Sequence, residues 1–420
     1  MGHVAGKDVY RRLGRKIDGL TIRVPWNETL HAILRSLYTV EEADLIVRMP
    51  FGLANSAAIE KATKLPPAEL QRRLEGLCAK GLLMDLWIRG EYHYMISPLV
   101  IGIFEFTMMR TRGDLKMREW AELFHTYLQD PATFYRANCS RGERVSPLRA
   151  LPHEEAIERT EYVEVLDYEK ASAIIDQARS FCIGLCSCRH EKLHAGVKSC
   201  EVPLETCSTF GGATDHMIRH GFGREASRSE MRDNLARSRD LGLVLLADNV
   251  CQDVSFICHC CGCCCNVLLG ISRFGYPNVV VTSTLIARCD LDLCSECGAC
   301  ALACPINAVA MAEGGPPAVD TTVCMGCGVC ALKCPTGAMS LAKRGQRVLH
   351  PETTLARVVL QCLERGTLQN QMFPDPQSTT HLFLRTFVGA FLKLPVVKRA
   401  LMSDMLRSRF LHAMERGASP

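Results

Sequence analysis

The chain has 420 residues, a formal net charge of +4 and 48% hydrophobic residues. That is ordinary for a globular protein and, at this length, for one with more than one domain. No apolar run of about 18 residues occurs, so no transmembrane helix is expected.

The unusual feature is 24 cysteines, of which 21 lie between Cys182 and Cys334, with Cys78, Cys139 and Cys362 outside. A disulfide scaffold would be short, secreted and evenly bridged. The opening MGHVAGKDVYRRLGRKIDG is charged and lacks an apolar export segment, and Arg11-Arg12 is followed by Leu-Gly-Arg-Lys. A cytoplasmic location is therefore expected, where clustered thiols read as metal ligands.

Glu28–Leu37 is expected to be a helix, with Leu30, Ile33, Leu34 and Leu37 on one face. Thr39-Val-Glu-Glu42 reads as a capping box that opens a second helix. Ala54–Thr63 reads as a third. Pro66-Pro67 opens a fourth, with Leu70, Leu74, Leu77 and Leu82 at helical spacing, Cys78 in its apolar face and Gly81 near its end. Two strand-like runs follow, Asp85–Arg89 and Tyr92–Ile96, split by Gly90-Glu91. Helices followed by a hairpin make residues 1–110 resemble a winged helix–turn–helix domain. Residues 111–175 read as a helical, charged connector, loop-like around Ser140–Pro152. Residues 176–285 form a cysteine-rich domain, 286–345 a second one with an internal repeat, and 346–420 a tail ending in a basic amphipathic helical stretch, His381–Leu411. The expected class is α+β, multi-domain.

The repeat carries the strongest chemistry. Cys294, Cys297, Cys300 and Cys304 precede Pro305; Cys324, Cys327, Cys330 and Cys334 precede Pro335. Each run is C-x2-C-x2-C-x3-C-P. Three close cysteines can hold three corners of a cubane, with Gly298, Gly326 and Gly328 letting the backbone approach, and the fourth serves the neighbouring cluster. One [4Fe–4S] cluster is thus assigned to Cys294, Cys297, Cys300 and Cys334, and the other to Cys324, Cys327, Cys330 and Cys304. Zinc would usually show two separated C-x2-C pairs. This segment resembles bacterial two-cluster ferredoxins.

Upstream stand Cys182, Cys186, Cys188, Cys200 and Cys207, then the run C-H-C-C-G-C-C-C with Cys258, Cys260, Cys261, Cys263, Cys264 and Cys265. Four thiols per cubane allow one or two further clusters here. If the run is extended, neighbouring side chains face opposite ways, and Cys260 and Cys261 serve different partners. A zinc knuckle and a noncubane cluster at Cys260-Cys261-Gly262 are alternatives. His190, His194 and His259 are candidate ligands or donors to cluster sulfur. The pattern Cys186-Ser-Cys188-Arg189, Cys200, Pro203-Leu-Glu-Thr-Cys207 and C-H-C-C-G-C-C-C resembles a family of cytosolic 4Fe–4S binding proteins. The resemblance implies this architecture, with anaerobic electron-transfer metabolism as its setting. Cys182, Cys251 and Cys289 stand outside the resembled pattern.

No dinucleotide fingerprint, phosphate-binding loop or C-x-x-C-H haem motif is present; Gly221-Phe-Gly223 lacks the rest of a G-x-G-x-x-G. The expected role is electron transfer between redox partner proteins, with no catalytic residue assigned. A redox-sensing transcription regulator and an enzyme with a catalytic cluster in the middle domain are the alternatives. Residues 1–110 hold 15 Lys/Arg against 12 Asp/Glu, a thin footprint for DNA. From Lys343 to Pro420 there are 12 Lys/Arg against 5 Asp/Glu. A basic amphipathic tail of this kind can lie on a membrane surface, dock a protein, or pack on its own chain.

Overall fold

The computed structural model describes residues 2–112, 115–139, 145–158, 165–275, 280–345 and 350–418. It is mixed α and β and divides into two compact units. The first comprises residues 1–138, 219–222 and 355–420; the second comprises 139–218 and 223–354.

In the first unit, helix Glu28–Leu37 buries Leu30, Ile33, Leu34 and Leu37, and Asn27 caps it by accepting from the Leu30 N–H at 2.8 Å. Helix Val40–Arg48 opens on the reciprocal Thr39–Glu42 capping box. Such caps contribute about 1 kcal/mol each. The third helix is shorter than the sequence suggests: Ser56–Thr63, preceded by a two-residue strand, Ala54–Asn55. Asn55 explains this, since its side chain accepts from the Ala58 N–H and caps the helix there. Helix Pro67–Ala79 starts on a proline and buries Leu70, Leu74, Leu77 and Cys78. The hairpin strands are Leu83–Ile88 and Glu91–Ile96, so the turn is Arg89-Gly90 and not Gly90-Glu91. Both turn residues have positive φ, 50° and 90°, as a two-residue primed turn requires. Asp85, almost wholly buried, pairs with Arg219 at 3.1 Å and His220 at 3.0 Å.

The tail stretch expected to be helical, His381–Leu411, is made of three helices: Thr379–Leu392, Pro395–Leu401 and Asp404–Ala418. Pro395 cannot continue the preceding helix and sits at the first turn of the next. Before them, Thr354–Arg365 and Leu368–Met372 build a small core of Val359, Cys362, Leu363, Leu368 and Leu392. Thr367 Oγ1 and Asn370 Nδ2 donate to the carbonyls of Leu20 and Gly19, each at 2.9 Å, tying the tail to the N-terminal region. No single helix is long and apolar enough to cross a membrane among the described residues.

The second unit is built on a seven-stranded sheet, in the order Val280–Val281, Leu148–Leu151, Val244–Asp248, Phe256–Cys260, Glu205–Phe210, Phe181–Leu185 and Gly223–Glu225. Only the first pair is parallel. Leu151, Ile183, Phe210, Leu245 and Ile257 pack with Ile174, Ile175 and Met231 into one core. Strand Leu148–Leu151 occupies part of the stretch expected to be loop; residues 140–144 of that stretch lie outside the described residues.

The repeat region folds as two similar halves. Helices Ala299–Ala303 and Val329–Leu332 each start behind a left-handed glycine, Gly298 or Gly328. Strands Leu285–Cys289 and Met339–Lys343 pair antiparallel around both halves, and Val309–Met311 pairs with Pro317–Val319 between them.

Candidate metal centres

The loop turns that precede the two short helices point their thiols inward. One hollow is lined by Cys294, Cys297, Cys300 and Cys334. A second is lined by Cys304, Cys324, Cys327 and Cys330. Each hollow thus takes three thiols from one run and the fourth from the other. Gly326 makes the second possible: it has φ +69°, and a Cβ there would lie 2.1 Å from the Leu285 carbonyl oxygen. Backbone N–H groups donate to sulfur, Glu296 to Cys294 at 3.4 Å, Ala308 to Cys304 at 3.2 Å and Met339 to Cys334 at 3.4 Å. Such donors favour the more negative, reduced state of a thiolate-bound cluster. The hollows differ in exposure: Cys324, Cys327 and Cys330 are buried, whereas Cys297 is exposed. Burial pushes the Cys327 thiol well above its ordinary range.

The upstream cysteines separate into two sets. Strand Phe256–Cys260 puts Cys258 and Cys260 on one face and His259 on the other. The run is extended only to Cys260; the chain then turns and enters helix Asn266–Ser272 behind Cys265. Hydrogen bonds from Cys207 and Cys260 hold the Cys258 thiol low, and those from Cys188 and Cys260 hold Cys265 low. Cys186 lies in the field of the same two groups, its thiol pushed up to about 12 chiefly by burial. Cys207, Cys258, Cys260, Cys265 and Cys188 are thus linked thiol to thiol, with Cys186 in their field, and these six are termed the six-thiol cup.

The turn carries Cys261, Cys263 and Cys264, and these meet Cys200 in a separate group whose sulfurs all lie within 4.8 Å of one another. A hydrogen bond from Cys264 outweighs burial, with help from Arg189, and lowers the Cys261 thiol to about 5. Gly262, within this turn, packs on the chain after Cys304: a Cβ there would meet the Pro305 oxygen at 2.9 Å.

His259 shares hydrogen bonds with Ser238 Oγ at 2.6 Å and Ser208 Oγ at 3.0 Å. Burial lowers its pKa to about 3, so its ring is neutral. The ring nitrogens of His190 and His194 meet each other at 2.9 Å. Of the remaining cysteines, Cys182 is buried in strand Phe181–Leu185, Cys251 reaches the His350 carbonyl at 3.8 Å, and Cys289 hydrogen-bonds to Cys294 beside the first hollow. The residue that sequence reading left without a role is Arg189. It is fully buried and donates to the His259 carbonyl at 2.8 Å and to Cys261 Sγ at 3.7 Å. Its place directly after Cys188 was the available signal.

Residues 293–347 match the family described as a 4Fe-4S dicluster domain. No curated protein and no solved structure matches the chain. The matched segment holds all eight cysteines of the two hollows, and the four-thiol composition of each suits a cubane cluster. The chain is an iron–sulfur protein.

Proposed function

We propose that the chain passes single electrons between redox partner proteins through two ferredoxin-type [4Fe–4S] clusters and at least one further cluster in the six-thiol cup. The observation that carries this reading is the pair of adjoining four-thiol hollows, each completed by a cysteine of the other run. When bound, such clusters take up and release one electron at a time. The protein's part is to hold the thiolates, donate N–H groups to them and set their exposure. Burial of Cys324, Cys327 and Cys330 insulates one hollow. Exposed Cys297 leaves the other open at a rim where Leu291, Leu293 and Leu302 are 64%, 54% and 90% exposed. Asp290, Asp292 and Glu296 are exposed on the same loop, so the rim fits a partner with a basic, partly apolar face.

The first unit supports docking more than sequence reading of DNA. Residues 40–96 have the helix order and hairpin of a winged helix, but Arg73 on helix Pro67–Ala79 is tied to Glu69 at 2.5 Å. The tail offers a different surface. Phe383 and Phe387, both 68% exposed, stack 6.4 Å apart on a helix followed by Lys393 and Arg399. This surface fits the anionic face of a membrane.

Two assays test these readings. The isolated chain, reduced by a low-potential dye without air, is expected to pass electrons to a co-purifying redox protein and to transform no small metabolite by itself. Sustained turnover of a metabolite by the chain alone refutes the carrier role. Phe383→Ser with Phe387→Ser is expected to lower sedimentation with vesicles containing phosphatidylserine by about tenfold while leaving iron content unchanged. Unchanged sedimentation refutes the membrane surface.

A further inference from the structure

The group at Cys200 differs in size from the other thiol sets. Cys200 Sγ lies 3.8 Å from both Cys261 Sγ and Cys264 Sγ, and Cys263 Sγ lies 3.6 Å from Cys264 Sγ. Zn–S bonds of about 2.3 Å place four thiolates at the corners of a tetrahedron about 3.8 Å on edge. A cubane spreads its thiolates to roughly 6 Å, because each binds a different iron from outside the core. The same chain supplies the comparison. Among the described residues, none of the eight cysteines around the two hollows belongs to so tight a group.

We propose that Cys200, Cys261, Cys263 and Cys264 form a mononuclear tetrathiolate site that takes one zinc ion. Cys261 and Cys264 stand at the C-x2-C spacing common in structural zinc sites, with Gly262 between them packed on Pro305. Cys200 arrives from the loop after helix Ser187–His194, where the Lys198 ammonium donates to its carbonyl. Four thiolates around a divalent cation leave net negative charge. The buried Arg189 guanidinium, 3.7 Å from Cys261 Sγ, offsets it. With all four positions filled by protein, the site has no open position for chemistry and no redox change of its own. It fastens the loop carrying Cys200 to the turn that rests on Pro305, beside the hollow that contains Cys304. It therefore fixes the spacing between the six-thiol cup and that hollow.

The test uses the full chain, purified without air from cells supplied with both iron and zinc. Zinc, iron and labile sulfide are counted in the wild type and in Cys200→Ser, Cys263→Ser and Cys188→Ser. The wild type is expected to hold about one zinc. Cys200→Ser and Cys263→Ser are expected to lose it about tenfold, with iron and sulfide unchanged, while Cys188→Ser loses iron and sulfide but keeps the zinc. Should a variant fail to fold, cobalt replacing zinc in the wild-type chain is expected to give the absorption of a tetrahedral thiolate complex. Loss of iron and sulfide together from Cys263→Ser, zinc retained in both Cys200→Ser and Cys263→Ser, or a wild type without zinc and without that cobalt spectrum overturns the proposal.

Discussion

Cys304→Ser separates two ways of wiring the repeat. If each run held its own cluster, the change would damage the set containing Cys294, Cys297 and Cys300. In the fold, Cys304 lines the hollow of Cys324, Cys327 and Cys330, and Cys334 lines that of Cys294, Cys297 and Cys300. Cys304→Ser therefore removes one of four ligands from the second set and none from the first. The expected loss is at most one cubane, roughly four irons and four sulfides per chain. The reduced full-length chain, examined by EPR with iron and sulfide analysis, reports which centre survives. Cys304→Ser and Cys324→Ser should leave the same residual signal, and Cys334→Ser and Cys294→Ser should leave the other. If Cys304→Ser instead shares its residual signal with Cys294→Ser, the cross-ligation is wrong.

Three further outcomes follow from the packing. Gly326→Ala needs a positive φ of +69° and puts Cβ 2.1 Å from the Leu285 oxygen, whereas Gly90→Ala at φ +90° meets nothing within 4 Å. Thermal unfolding without air should show about 1 kcal/mol lost for Gly90→Ala and clearly more for Gly326→Ala; equal losses would remove the close approach from the account. Burial, helped by Arg385, lowers the Lys16 ammonium to about 6 beneath the Met49 carbonyl and Phe51 ring. Between that value and the unfolded pKa near 10.5 the unfolded chain binds more protons, so stability to urea should rise with pH by up to about 1.4 kcal/mol per unit. Lys16→Met should abolish that slope; parallel curves for the two proteins would contradict it. Arg189→Met should make the Cys200 group lose metal faster to a chelator while leaving the two ferredoxin-type hollows loaded, and equal release rates would exclude the charge-balancing role.

Local signals in the sequence were reliable where the structure is local. Leu30, Ile33, Leu34 and Leu37 mark a helix face because they repeat at helical spacing, and Thr39 with Glu42 marks its successor because the cap is made within four residues. The cysteine runs carry their own spacing, so the eight module thiols could be picked out before any fold was known, and they line the two hollows. The central sheet was not legible. Leu148–Leu151 pairs with Val244–Asp248, nearly a hundred residues later, and nothing near either strand encodes the other. Likewise, alternation along an extended strand separates Cys260 from Cys261 only to the point where the chain turns. The division of ten thiols into six and four depends on Cys200 arriving from a distant loop. The positive φ at Arg89, an uncommon residue for it, hid the true hairpin turn.

The pairing of Leu285–Cys289 with Met339–Lys343 has a consequence for biogenesis. These two strands are the ends of a loop that contains every cysteine of the two hollows. During synthesis the first strand has no partner until the second has left the ribosome, and Cys294, Cys297 and Cys300 wait for Cys334. All eight thiols thus emerge before the enclosure can close. Closure of both hollows consequently waits until residue 343 has emerged, and a nascent chain stalled short of residue 339 presents a row of open thiols to oxygen and to the wrong metals.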